Sequence, residues 1–102
     1  MVRLYKQHFG KGPTRVRAYY TGDLVTCVLR DGFTRADRTL IESGRAEVVL
    51  NHRYQLQQAV RDDFINTVAE ITGREVIGFF SGSQPDPEIE VEVFVLAPRD
   101  GG

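Results

Sequence analysis

The longest uninterrupted pattern in the chain lies between Arg45 and Thr72, a stretch without glycine or proline that stops at Gly73. At about 100° per residue, Ala46, Val49, Leu56, Val60, Phe64 and Ile71 fall on one stripe, while Asn51, Gln58, Asp62 and Ala69 lie opposite. This spacing predicts one long helix of about 28 residues, or roughly 42 Å. The strands read from the sequence are about six residues each, or roughly 20 Å. A helix that overruns its sheet exposes apolar surface. Leu50, Tyr54 and Ile65 sit about 100° or more from the centre of the core stripe. They are expected to meet either the N-terminal Leu4, Tyr5 and Phe9 or a second chain, and a two-fold homodimer is the common solution.

Around this helix the periodicity changes from helical to alternating. Val2 to Phe9 is predicted as a short helix, broken by Gly10-Lys11-Gly12-Pro13. Thr14 to Tyr20 alternates, with Val16, Ala18 and Tyr20 opposite Arg15, Arg17 and Tyr19; Leu24 to Leu29 is nearly all apolar. Thr21-Gly22-Asp23 joins these two as a hairpin. Thr34 is placed to cap a short helix with Asp37 in its first turn, and Leu40 and Ile41 give that helix its apolar contacts. Ser43-Gly44 separates it from the long helix.

After Gly73, Glu75 to Ser81 reads as a buried strand and Gly82 to Pro87 as a turn-rich loop. In Glu88 to Leu96, Ile89, Val91, Val93 and Val95 alternate with Glu90 and Glu92, and Phe94 and Leu96 make the far end apolar on both sides. The predicted order is (α)ββααββ. This is an α+β fold: a short N-terminal helix and two antiparallel hairpins forming a four-stranded sheet, with a short and a long helix on one face. Residues 1–98 form one domain, and 99–102 are expected to be a disordered tail.

Composition narrows the functional classes without naming one. The 102 residues are 41% hydrophobic and 26% charged, with a net charge of −1, so no global field favours nucleic acid. No apolar run is long enough to span a bilayer and no signal peptide opens the chain, so direct membrane insertion is not expected and a cytoplasmic location is. The first residues are already helix-like, which suggests a helix that begins upstream. A single cysteine, Cys27, excludes an internal disulfide and fits a reducing compartment.

The chemistry-bearing residues form no reactive constellation. Cys27 lies within an apolar strand, where a buried thiol is inert. His8 and His52 lack a second ligand at zinc spacing, so no metal or other cofactor is expected. Asp62 and Asp63 diverge by about 100° on a helix and read as surface charge. Glu88, Glu90 and Glu92 share a strand face, with Arg15, Arg17 and Arg74 available as cross-strand counterparts on a wet surface; an acidic docking strip is the alternative. Gly10 to Pro13 lacks the spacing of a phosphate loop and leads into a strand. The best ligand-binding candidates are Lys11, Ser81, Ser83, Arg15 and Arg17, for a small molecule or nucleotide. An enzyme is not expected.

The runs LYKQHFGKGPTRVRAYY, DGFTRADRTLIESGR and FINTVAEITGREVIGFFSGSQPDPEIEVEVFVL resemble the MpsC-like domain family, over roughly Val2 to Pro98. Its most specific parts here are Gly10 to Pro13, Leu40 to Gly44 and Ile71 to Gly73, none of which is a catalytic motif. The resemblance implies a small bacterial domain of unknown function, named after a Na+-translocating, membrane-potential-generating system, with a fuller N-terminal helix than this chain shows. It also implies an accessory role beside a membrane-transport protein. The residues themselves favour a self-associating accessory or regulatory binding module.

Overall fold

The structure is a computed structural model and describes residues 15–99. The predicted N-terminal helix, Gly10 to Pro13 with Lys11, and the last three residues of the tail lie outside the described residues. Strands β1 (Arg15–Thr21) and β2 (Leu24–Arg30) lead into helices α1 (Arg35–Glu42), α2 (Ala46–Ala59) and α3 (Arg61–Thr72). Strands β3 (Val76–Pro85) and β4 (Glu88–Leu96) follow. All neighbouring strands run antiparallel, in the order β1-β2-β4-β3, so the two hairpins join through β2 and β4. The α+β class is as predicted.

Local chemistry explains the element boundaries. Gly22 takes a left-handed φ of 58° in the first hairpin turn, and Gly73 ends α3 with a φ of 68°. The Thr34 hydroxyl accepts from the Asp37 amide at 3.1 Å, and the Asp37 carboxylate accepts from the Thr34 amide at 2.9 Å, which makes the expected cap of α1 a full capping box.

The long helix is not continuous. Val60, with φ −101° and ψ 9°, ends α2 and starts α3. Beyond this break, Phe64 and Val68 of α3 pack into the core with residues of the sheet. Val49, Val60 and Phe64 are buried as the periodicity required, but Ile71, assigned to the core stripe, is 75% exposed. Ile65, assigned to the opposite side, is half-buried and packs against the core of its own chain. Extrapolating one helical phase across Val60 mixed the two sides of α3.

Strand β4 is also inverted relative to its alternation. Glu90, Glu92, Phe94 and Leu96 are the buried positions, whereas Ile89, Val91, Val93 and Val95 lie half-buried on the far face. The core gathers Cys27 and Leu29 of β2, Phe79 of β3, Phe94 and Leu96 of β4, and Val60, Phe64 and Val68 from the helices. The rings of Phe64, Phe79 and Phe94 meet in series, each pair tilted, with centroids 6.3 Å and 5.1 Å apart.

Register carries the same division to every strand, because residues directly opposite across an antiparallel pair share a face. On the far face lie Arg17, Tyr19, Leu24, Val28, Val91, Val93, Val95 and Phe80. Among the described residues no helix covers it: Phe80 is 64% exposed and Tyr19 52%.

Truncating Phe64 to alanine is expected to cost about 3–5 kcal/mol in urea unfolding, since the ring is fully buried between helix and sheet. Ile65→Asp is expected to destabilise the same transition and Tyr54→Asp to leave it unchanged; equal effects of the two would contradict the packing of α3.

Candidate functional site

Strand alternation and helix spacing converge on one buried polar cluster. On β4, Glu90 and Glu92 point toward the helices; on β3, Ser83 and Ser81 stand directly opposite them in register. On α2, Arg53 and Gln57 are four residues apart and so share one helix face. Arg53, Gln57, Glu90 and Glu92 are each 3% exposed or less.

The contacts form a connected network. The Arg53 guanidinium binds Glu90 through both Nε (3.4 Å, to Oε2) and Nη2 (to Oε1), and its Nη1 reaches Asp37 at 3.5 Å. Its planar group also lies over the Phe33 ring, 5.0 Å from the centroid. The Gln57 side-chain amide donates to Glu90 at 2.9 Å and to Glu92 at 3.2 Å. The hydroxyls of Ser81 and Ser83 donate to Gln57 Oε1 at 2.9 Å and Glu90 Oε2 at 3.2 Å. The capping carboxylate of α1 therefore ties into the same network, joining both helices to the sheet.

The predicted charge ladder is thus corrected in place and in partner. Glu90 and Glu92 are buried beneath the helices, and Arg53 is the cation that meets Glu90. Glu88 pairs instead with Arg38 at 2.7 Å, while Arg15 pairs with Asp31 at 3.3 Å and Arg74 with Asp23 at 2.6 Å. The predicted loop from Gly82 is corrected too: β3 continues to Pro85, and only Asp86-Pro87 forms the turn.

The candidate ligand residues separate. Ser81 and Ser83 are bonded within the buried network, and Arg15 and Arg17 lie together on the far face of the sheet. Leu50 is half-buried and Tyr54 is 51% exposed. Arg53, Gln57 and Asp37 were missed from the sequence. The available signal was their spacing: a basic and an amide residue four apart on one helix, against two glutamates two apart on a strand.

Within the cluster, the surroundings of Glu90 favour its protonated form. Two carboxyl groups, Asp37 and Glu90, meet one guanidinium away from solvent, and Gln57 links Glu92 to the same cluster. Burial pushes the Glu90 carboxyl above its ordinary value of 4.5, outweighing the pull of Arg53 downward. Cys27, opposite Glu92 in the register, has its thiol pushed up by burial and then by the nearby carboxylate, which disfavours the thiolate. Among the described residues no three His, Cys, Asp or Glu side chains converge on a metal-sized site.

A raised carboxyl pKa means that the folded state holds its proton more tightly than the unfolded chain. The resulting stability is complete below the ordinary glutamate range and is lost as pH rises through the raised value. Urea midpoints are therefore expected to fall as pH increases across that window, and Glu90→Gln to flatten the slope. Arg53→Leu should cost about 3–5 kcal/mol by leaving carboxylates buried without their cation, and adding Glu90→Leu should recover a large part of it.

No curated protein and no solved structure matches this chain. Among the described residues no helix is long and apolar enough to cross a membrane. Residues 1–98 match a family described as the Na+-translocating membrane potential-generating system (MpsC). That match covers nearly the whole chain and spans both hairpins and all three helices, so this small α+β domain belongs to the MpsC family, whose description links it to a Na+ membrane-potential system.

Proposed function

We propose that the protein is a non-enzymatic accessory module of the membrane-potential-generating system its family is named for, working as a homodimer in the cytoplasm. The observation that carries this reading is the far face of the sheet. Val91, Val93, Val95 and Val28 form a half-buried strip along β4 and β2, bordered by the exposed Leu24 and Phe80. Such continuous apolar surface is usual at interfaces and rare on isolated monomers.

A second copy of the chain suits this face by shape and size. Four strands of seven to ten residues make a face of about 20 Å by 25 Å, or roughly 500 Å² for each copy. Two such faces together reach about 1,000 Å², the lower bound of specific interfaces. Sheets stack face to face about 10 Å apart, and a two-fold axis lying between them sets the same patch on itself. This moves the proposed contact from the helix side, where Ile65 already packs on its own core, to the sheet. Leu50 and Tyr54 are left for contacts with other proteins of the system. The single Cys27, buried and unpaired with another cysteine, is compatible with a reducing compartment.

Light scattering after size exclusion at micromolar concentration is expected to give twice the chain mass. Phe80→Glu should halve that mass while leaving the circular dichroism unchanged. A monomeric parent protein would overturn the reading.

A further inference from the structure

The far face carries a second feature at the corner diagonally across from Phe80. There Arg15, Arg17, Tyr19, Val28 and Arg30 line a cavity of about 340 Å³, within the range of small-ligand sites. Register explains how the arginines come together. Arg15 is directly opposite Arg30, and Arg17, two residues further along β1, is opposite Val28. All three arginines therefore rise from one face of two paired strands, with Val28 opposite Arg17 and Tyr19 next along β1 on the same face.

Like charges directly opposite across strands repel, so an unneutralised arrangement of this kind is unfavourable. Arg15 meets Asp31 at 3.3 Å, an exposed pair that screens only part of the charge. The side chains of Arg17 and the half-buried Arg30 have no hydrogen bond or ion pair among the described residues.

We infer that Arg15, Arg17 and Arg30 form an anion-binding cup for a phosphate group, with the Tyr19 ring as its apolar wall. Guanidinium forks match the oxygens of a phosphate two at a time, and three of them supply more donors than one carboxylate can accept. The cup sits at the edge of the apolar strip, on the β1 side of the sheet and two strands from β3. It lies on the same face as the proposed dimer contact and shares Val28 with it, so the mass in light scattering is read beside the binding.

The phosphate is either that of a free small molecule or that of a lipid headgroup, and two probes separate these sources. Pyrophosphate is titrated into the full-length protein at constant ionic strength and binding is followed by calorimetry. In parallel, the protein is sedimented with vesicles of phosphatidylglycerol and phosphatidylcholine, and with phosphatidylcholine vesicles alone. Binding to pyrophosphate without sedimentation assigns the cup to a soluble phosphate. Sedimentation with phosphatidylglycerol vesicles alone assigns it to a headgroup. In either case Arg17→Gln/Arg30→Gln should weaken binding by about tenfold or more, and Arg30→Lys should restore only part of it by keeping charge without the fork. No binding to either probe, or binding that the double variant leaves unchanged, would overturn the proposal. Unaltered circular dichroism and an unaltered mass in light scattering show that a loss belongs to the cup rather than to folding or assembly.

Discussion

The contact between Arg53 and Glu90 fixes how the helices sit on the sheet. Both groups are almost fully enclosed, and an isolated charge at either place would carry a desolvation penalty of several kcal/mol. Each is therefore tolerated only in the presence of the other. Because the pair joins α2 to β4, and Asp37 and the two serines extend it to α1 and β3, the relative placement of four elements is set by one group of polar bonds. The apolar core supplies the non-directional share of the stability beside it, through Phe64, Phe79 and Phe94.

This arrangement also decides which side of the sheet is left open. Once Glu90 and Glu92 turn toward the helices, the intervening Ile89, Val91, Val93 and Val95 must face away from them. The apolar strip on the far face is thus the counterpart of the polar cluster beneath the helices. A strand that buries its acids and presents its valines is an unusual division, and it leaves the apolar strip on β4 itself.

Much of the architecture was legible in the chain because local chemistry determined it. Thr34 with Asp37, the Thr21-Gly22-Asp23 turn and Gly73 each act within a few residues, and each appears where the sequence placed it. The break at Val60 was not legible: valine is an ordinary helix residue, and nothing in its neighbourhood signals a stop. Tertiary packing sets that boundary by bringing Phe64 and Val68 over the sheet. The direction of β4 failed for a related reason. Its alternation fits two opposite readings, and the choice depends on a distant arginine whose partnership no local rule reveals. The sequence did single out Ser81, Ser83, Arg15 and Arg17 as candidate ligand residues, but their division between the two faces is a matter of register.

The helix-facing side of β4 reads acid, acid, aromatic, aliphatic from Glu90 to Leu96, and α2 and α3 offer matching surfaces in the same sequence. Sliding β4 by two positions in the direction that carries its acids toward α3 would preserve the pleat and most ladder bonds. It would nevertheless put the Glu92 carboxylate in the place of Phe94, against the Phe79 ring in the apolar core. The strand therefore has a graded identity along its length, and a misaligned hairpin is rejected even when its backbone is fully bonded.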